Sequence, residues 1–376
     1  MKKIISFLLL AVMVFTSCVE EYNAELPEGE TDLLVVEGTI ISDSLCTFHL
    51  TKTYSLNNTS NQIPAVNNAF VRVSGSDGTV WKAIAGGQGY YSIPVGHLNA
   101  NTEYQLEIEA DGVTYTSTPQ RPVSTENINL SFTQNKPEEN VQILVSTTPT
   151  NDAGTHYYKM YYEEDWEVIT PYDPTYEYDP RTDKIVEMDY HKNRGWIHTN
   201  CNSIILASTV NFSGNMLQEA KVYSAPIDDT RFTTMYASLV KVRSISQGEY
   251  EYEQIRAQIS SEMGGLFTPQ PSELPTNISS SDKQHKAIGY IGISSNVSQQ
   301  RMFIYPRDVN STYKQICDVL SDEDLAENTP KELYQKGYQI GNYEVFPTGK
   351  IEEWTKDKCV DARLLGATFY RPEFWP

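Results

Sequence analysis

Short β-strands separated by tight turns are the feature that most constrains the fold of this 376-residue chain. Phe70–Val73 runs into Asp77-Gly78, a dipeptide that is typical of hairpins. Between residues 104 and 108 apolar and polar side chains alternate, and Asp111-Gly112 then reverses the chain. Strands at this spacing predict an Ig-like or carboxypeptidase-regulatory-like β-sandwich over residues 32–119.

The rest of the chain continues the β pattern and adds one helix. After the strand-like run Phe232–Ile245 the hydrophobic period changes, and Ser246 and Glu249 are spaced as a capping box. We therefore expect an amphipathic helix near residues 247–263 whose apolar stripe packs against a sheet. Residues 120–376 are predicted to form a larger β-rich domain with an irregular C-terminal segment, so the expected fold class is mainly β.

A second, shorter helix is predicted from its cap residues. Thr329 is a good N-cap, Pro330 suits the first helical position, and Glu332 is the acid expected in the first turn. Gly337 is expected to end this helix.

The N-terminus predicts export and lipid attachment. Two lysines precede an apolar run of about 12 residues, which is shorter than the roughly 20 that a membrane-spanning helix needs. Small residues then lead to Cys18 in a lipobox-like arrangement. Residues 1–17 are therefore predicted to be a signal peptide, Cys18 an acylation site and residues 18–31 a flexible tether. The alternative is an ordinary cleaved signal peptide in which Cys18 has no role.

Two acids follow the acylation site. Glu20 and Glu21 resemble the surface-export signal of Bacteroidota lipoproteins, which implies an outer-membrane protein on the cell surface. Because any solvated linker can carry acids, an orientation toward the periplasm stays open.

The charge balance disfavours two classes of partner. The chain has 49 Asp+Glu against 29 Lys+Arg, a formal net charge of -20. Such a surface repels phosphate backbones and anionic lipid head groups. We therefore expect no nucleic-acid partner, and contact with a membrane only through the lipid anchor.

The segment between Thr170 and Tyr190 mixes aromatic residues, acids and prolines without a period. It is predicted to be a long exposed loop, and loops of this length often carry function. The residues expected to contact a ligand or partner are Tyr172, Tyr176, Tyr178, Tyr190 and Trp196. The alternative is a solvated insertion with tyrosines that are ordinary for a β-protein.

Sequence patterns for catalysis are missing: there is no GxSxG elbow, P-loop or HExxH. His191 and His198 could hold a metal with Asp189, but such histidines are more often exposed polar residues. The acids between residues 163 and 167 occupy both faces of a strand, and we interpret them as a solvated acidic edge. The sequence therefore predicts no catalytic residue, no metal and no cofactor.

Five cysteines are present, of which Cys18 is assigned to lipid. Cys46 alternates with apolar residues and is expected to be a buried free thiol. Cys317 and Cys359 share the C-terminal segment and are the favoured disulfide pair in an exported protein. None of the cysteines has the CxxC spacing of a zinc site.

Several short motifs occur in the order seen in one known family. They are Leu34–Gly38, Val66–Val71, Gly89–Tyr91, Gly289–Ile291, and the C-terminal runs Cys359–Thr368 and Arg371–Trp375. Together they resemble the Bacteroidota lipoprotein family known as domain of unknown function 4249, over nearly the whole mature chain. The CxDC ending of that family has Ala362 in place of its second cysteine here, which leaves Cys359 free or paired elsewhere, for instance with Cys317.

The resemblance implies a location and a partner rather than a reaction. The family has no established catalytic activity, and its members tend to be encoded beside TonB-dependent outer-membrane transporters. We therefore expect an outer-membrane protein, on the cell surface, that is a non-catalytic binding or accessory partner of such a transporter. The alternatives are a structural or adhesive surface protein and an unrecognised hydrolase.

Overall fold

The computed structural model describes residues 32–54, 63–150, 154–201, 203–212, 215–262, 274–347 and 349–376. Cys18, Glu20 and Glu21 lie outside the described residues, and so do the predicted signal peptide and the whole of the predicted tether. The described residues are mainly β, as predicted from the sequence.

The bounds of the elements in chain order are as follows. The strands up to residue 150 are β1 (Leu34–Glu37), β2 (Thr39–Ile41), β3 (Ser44–Lys52), β4 (Phe70–Gly75), β5 (Val80–Lys82), β6 (Ile84–Gly87), β7 (Tyr90–Val95), β8 (Tyr104–Ala110), β9 (Val113–Ser117), β10 (Ile128–Thr133) and β11 (Val141–Thr147). The later strands are β12 (Tyr157–Ile169), β13 (Tyr176–Asp179), β14 (Lys184–Glu187), β15 (Arg194–Asn200), β16 (Ile205–Ser208), β17 (Ala220–Ala225), β18 (Tyr236–Ile245), β19 (Ile278–Ser280), β20 (Ala287–Ile288), β21 (Gly292–Ser294), β22 (Ser298–Ile304), β23 (Tyr338–Phe346) and β24 (Gly349–Lys356). The α-helices are α1 (Gln247–Glu262), α2 (Asp322–Glu327) and α3 (Pro330–Gln335).

Two five-stranded sheets share the first hydrophobic core. Their strand orders are β20-β1-β3-β7-β6 and β19-β9-β8-β4-β5. The predicted alternation in β3 is present, because Cys46, Phe48 and Leu50 are buried in this core while the residues between them are not. Cys46 is a buried free thiol. These two sheets therefore form a sandwich in which alternate side chains of the central strands fill the space between them.

The sheets of this sandwich also take in strands from far beyond residue 119, where the sequence placed its boundary. β19 pairs with β9, β20 runs parallel to β1, and β21 runs parallel to β2. Residues 278–294 therefore complete a sandwich whose other strands lie more than a hundred residues earlier. A sequence pattern shows which residues form strands, but it does not show which distant strand they pair with.

A second core lies between two further sheets. One has the order β15-β12-β18-β22, with β16 also pairing with β12, and the other has the order β10-β11-β17. The long strand β12 crosses this body and directs Tyr158, Met160, Trp166 and Val168 into the core.

The prediction of a solvated acidic edge at residues 163–167 was wrong, because β12 is a central strand. Glu164, Asp165 and Glu167 are all buried. Glu164 accepts a hydrogen bond of 3.0 Å from Nε of Arg231, and Asp165 lies 2.8 Å from Nδ1 of His198. Buried carboxylates require such partners, since an unpaired buried charge is strongly unfavourable. These acids therefore belong to ion pairs inside the body.

Helix α1 begins where the capping box predicts, with Oγ of Ser246 accepting a hydrogen bond of 3.2 Å from N of Glu249. Its buried face is mixed, because Tyr252 is buried beside Glu253, and Glu253 accepts a hydrogen bond of 2.7 Å from Nζ of Lys159 on β12. The helix therefore attaches to the sheet through an ion pair as well as apolar packing. None of the described helices combines the length and apolar character that crossing a membrane requires.

The segment 170–190, predicted to be a loop, instead contains the hairpin β13–β14. Tyr178 on this hairpin is only 2% exposed and packs into a third, small core with Leu333, Ile340 and Trp354. The apolar side of this hairpin is built from tyrosine rings that pack on α3 and on β23–β24. A sequence pattern that looks for alternating aliphatic residues does not detect such a strand, because its apolar positions are tyrosines.

Candidate functional site

The third core borders a cleft of about 680 Å³. The hairpin β13–β14 forms one wall. The C-terminal end of α3 and the start of β23 form another, and a 3₁₀ turn at Ala362–Leu365 closes the third side. These segments are far apart in the sequence, so the cleft is a product of tertiary folding.

The turn of the hairpin wall is held by aspartates. Asp179 accepts hydrogen bonds from N of Arg181 at 3.0 Å and from Oγ1 of Thr182 at 3.2 Å. Asp183 accepts a hydrogen bond of 2.6 Å from the hydroxyl of Tyr178, whose ring is thereby fixed against the inner side of the cleft. Short acceptors are suited to such turns because they bond to nearby backbone and side-chain donors.

Helix α3 has the caps that the sequence predicts. Thr329 and Glu332 form a reciprocal capping box around Pro330, and Gly337 follows the helix with φ +76°. A left-handed residue at this position favours glycine because other residues have a Cβ that is crowded there. The short helix presents Tyr334 at the rim of the cleft, where its side chain is 38% exposed and its ring lies 5.5 Å from that of Tyr178.

The third wall is fastened by a disulfide. Cys317 and Cys359 are bonded, which is the pair that the sequence favoured. The carbonyl of Cys359 accepts a hydrogen bond of 3.2 Å from N of Tyr172, and N of Ala362 donates one of 2.8 Å to the carbonyl of Lys192. The C-terminal segment is therefore connected both to the chain before α2 and to the strands beside the hairpin.

Each cation that lines the cleft has a carboxylate partner. The side chain of Lys192 is 3% exposed, and its Nζ lies 2.9 Å from Oε2 of Glu177. Arg181 pairs with Asp179 at 3.2 Å, and Arg363 pairs with Asp361 at 2.6 Å. Paired charges of this kind cancel much of their field at the wall.

The pKa of Asp361 reflects this pairing. Burial acts to raise the pKa of its carboxyl, but the hydrogen bonds and charge of Arg363 outweigh burial, so that the pKa lies below its ordinary value. Asp361 therefore remains a carboxylate at neutral pH, held in one orientation by the guanidinium.

The structure brings four of the five predicted contact residues to this region. Tyr178 lines the cleft, and the Tyr190 hydroxyl donates a hydrogen bond of 3.2 Å to Glu177, which also lines it. Tyr176 packs on Tyr343, with ring centroids 5.0 Å apart. Tyr172 lies behind the cleft, against Gly341 and Cys359.

Trp196 does not belong to this group. It lies on β15, where its backbone exchanges hydrogen bonds of 2.8 Å with Thr368, and the Arg194 guanidinium lies 5.5 Å from its ring centroid. The two histidines that flank it also separate: His191 pairs with Asp173 at 2.9 Å, whereas His198 pairs with Asp165. Among the described residues, no group of three or more His, Cys, Asp or Glu side chains is arranged to hold a metal ion.

Sequence reasoning missed several lining residues, namely Lys192, Tyr334, Gln339, Asp361 and Arg363. Tyr334 could have been found, because the predicted helix at 330–335 places one tyrosine near its end. The others carry no local signal, since their role depends on the packing of the C-terminal segment against the hairpin.

Tyr178 gives the site a testable pH dependence. Its hydrogen bond to Asp183 stabilises the neutral phenol and, with burial, raises the pKa of Tyr178 to about 12. An unfolded tyrosine ionises at about 10. Between these values the folded state keeps a proton that the unfolded state has lost, so the free energy of unfolding falls as pH rises. We predict that Tyr178→Phe removes this part of the decline, as measured by urea unfolding at about pH 9 and about pH 11; equal declines in both proteins would contradict the assignment.

A family model described as domain of unknown function 4249 matches residues 19–300. The match includes the hairpin β13–β14 and Lys192, whereas α3, β23 and the turn at Ala362–Leu365 lie beyond it. No curated protein matches the chain.

Proposed function

The chain belongs to the domain of unknown function 4249 family, and we propose that it is a lipid-anchored outer-membrane protein that binds a ligand without catalysis. In this proposal it is an accessory partner of a TonB-dependent transporter. Cys18 is the anchor, Glu20 and Glu21 direct the protein to the cell surface, and the cleft is the ligand-binding site.

The observation that carries the proposal is the cleft itself. Its volume of about 680 Å³ lies within the range of small-molecule sites, and its walls combine tyrosine rings with fixed polar groups. The polar groups are held by the disulfide, the cap of α3 and the Asp361–Arg363 pair, so they are oriented before a ligand arrives. A preorganised site loses less entropy on binding than a flexible one.

The character of the lining groups favours binding over catalysis. Glu177, Asp179 and Asp361 are each neutralised by a cation. A general acid or base needs a pKa near the working pH, which usually requires a carboxyl in an apolar or like-charged environment. The lowered pKa of Asp361 is the opposite of that requirement.

The anchor and the transporter rest on the sequence. The lysines, the apolar run and the small residues before Cys18 support lipid attachment, and the resemblance to lipoproteins encoded beside TonB-dependent transporters supports the partner. A lipid anchor would hold the binding domain at the membrane that contains such a transporter, raising their effective concentration.

Purification of the acylated protein from outer membranes after gentle solubilisation tests the proposal. We expect a β-barrel transporter to be recovered with it in stoichiometric amount. Repeated recovery of the protein alone would contradict the accessory role and favour the structural or adhesive alternative.

Surface export gives a separate prediction. Replacing Glu20 and Glu21 by alanine is expected to remove the protein from the cell surface, because the acids directly behind the lipidated cysteine are the proposed export signal. Protease accessibility on intact cells measures this. The matched control is Glu28→Ala with Glu30→Ala, which removes the same charge farther along the tether and should leave exposure unchanged. Unchanged exposure of the Glu20 and Glu21 variant would contradict the export role.

A further inference from the structure

We propose that the cleft binds a neutral, hydroxyl-rich ligand of the size of a short oligosaccharide. This inference rests on the proposed binding function and names the ligand class of the same site. It follows from four properties of the cleft: its charge balance, its hydrogen-bonding groups, its exposed tyrosine ring and its small apolar area.

The charge balance disfavours ionic ligands. The charged residues that line the cleft are Arg181, Lys192, Arg363, Glu177, Asp179, Asp357 and Asp361. The three cations are all paired with carboxylates, so an anion would have to displace a partner that is already in place. A cation faces the same difficulty at the three paired carboxylates, and the remaining one, Asp357, accepts a hydrogen bond of 2.7 Å from N of Lys358. A ligand without charge avoids both costs.

The hydrogen-bonding groups favour hydroxyls. Donors and acceptors stand next to each other along the walls, as in the Arg363–Asp361 pair and the Lys192–Glu177 pair. A hydroxyl group can donate and accept at the same time, so it can bridge the two members of such a pair. A ligand with only carbonyl groups could bond to the cation of such a pair alone, and a ligand with only ammonium groups could bond to the carboxylate alone.

Gln339 adds an acceptor without a donor. It lines the cleft, and its Oε1 is buried with no hydrogen-bond partner among the described residues. A buried acceptor that is left unsatisfied destabilises the protein, because it has lost its hydrogen bonds to water. Rotation of the Gln339 amide toward the cleft would let a ligand hydroxyl donate to it, so binding would recover part of this cost.

Tyr334 provides a surface for the less polar face of a sugar ring. One side of its ring packs near Tyr178, and the side chain remains 38% exposed at the rim. The negative face of an aromatic ring attracts the weakly positive C–H groups of a sugar, as it attracts the edge of another ring. Such stacking orients a ligand whose hydroxyls then point to the polar walls.

The small apolar area disfavours lipids and peptides. The aliphatic side chains in the lining are those of Pro180, Val186 and Leu364. A lipid tail needs a continuous apolar surface, and a peptide gains specificity from pockets that accept its side chains. The lining therefore favours a saccharide over a lipid or a peptide, and the binding experiment below includes short peptides as the competing ligand class.

A printed array that carries neutral oligosaccharides, acidic oligosaccharides and short peptides tests this class with the full mature chain. We expect binding to at least one neutral oligosaccharide, which is then used in titration calorimetry. Tyr334→Ala should weaken that binding by about tenfold or more, while Tyr334→Phe should retain it because the ring remains. Gln339→Leu should also weaken binding. The matched control is Tyr370→Ala, an exposed tyrosine outside the cleft, which should bind as the wild type does.

Three results would overturn the inference: binding only to acidic sugars or peptides, no binding to any neutral oligosaccharide, or binding that Tyr334→Ala leaves unchanged. Thermal unfolding of each variant confirms that it is folded. Recovery of a stoichiometric transporter together with no saccharide binding would reject the ligand class and leave the accessory role intact. Saccharide binding by a protein that is always recovered alone would reject the accessory role instead.

Discussion

Replacing Arg243 by methionine is expected to lower the free energy of unfolding by about 3–5 kcal/mol. The side chains of Arg243 and Glu249 are 3% and 4% exposed, and Nη1 of Arg243 donates hydrogen bonds of 3.2 Å to Glu249 and to Ser294. Without the guanidinium, the carboxylate of Glu249 is left buried and unpaired. The loss also affects the contact between the first and second cores, because Arg243 lies on β18 of the second and Ser294 on β21 beside the first. Urea unfolding monitored by circular dichroism measures the change.

Two matched variants separate this effect from a loss of packing. Arg243→Met combined with Glu249→Gln removes both charges and should be clearly more stable than Arg243→Met alone. Lys136→Met breaks an exposed ion pair with Glu139 and should cost about 0–1 kcal/mol. A double variant as unstable as the single one would show that the buried charge is not the cause.

Replacing Cys317 and Cys359 together by alanine is expected to cost about 4 kcal/mol of stability. The bond closes a loop with a sequence separation of 42. A cross-link over this length lowers the conformational entropy of the unfolded chain, and at room temperature this stabilises the folded state by about 4 kcal/mol. The loop contains α2, α3 and β23–β24, so unfolding should begin in the walls of the cleft. Urea unfolding of both proteins, measured once without reductant and once with dithiothreitol, gives the change in stability.

The free thiol Cys201 supplies the control for this prediction. Cys201→Ala leaves the disulfide intact and should change stability by less than about 1 kcal/mol. Dithiothreitol should destabilise the wild type and leave the Cys317 and Cys359 double variant unaffected. An equal response of both proteins to the reductant would contradict the assigned role of the bond.

Local chemistry explains which parts of the fold could be predicted from the sequence. The caps Ser246 and Thr329 and the stop at Gly337 act within one or two turns, and the structure has all of them where the sequence predicts them. The alternation around Phe48 likewise depends only on neighbouring residues. Such signals do not depend on the rest of the fold.

Pairing between distant segments explains the features of the fold that the sequence did not predict. β20 completes a sheet with β1, and Tyr178 is buried only because α3 and Trp354 fold over it. Asp165 is buried because β12 has strands on both sides, and its partner Arg301 lies far along the chain. In the cleft, the tyrosine-rich segment between residues 170 and 190 was singled out from its composition, although as a loop and not as a hairpin. The C-terminal wall depends on tertiary packing, and its lining residues could not be predicted one by one.

The most direct test of the account is photocrosslinking in intact cells. A photoreactive amino acid is placed at Leu364, an exposed residue that lines the cleft, and in a second strain at Leu45, an exposed residue of the N-terminal sandwich. If the cleft delivers its ligand to a TonB-dependent transporter, Leu364 should give one major adduct with a β-barrel protein, and Leu45 should give little of it. The absence of any β-barrel adduct from Leu364, or equal adducts from both positions, would contradict the proposed function.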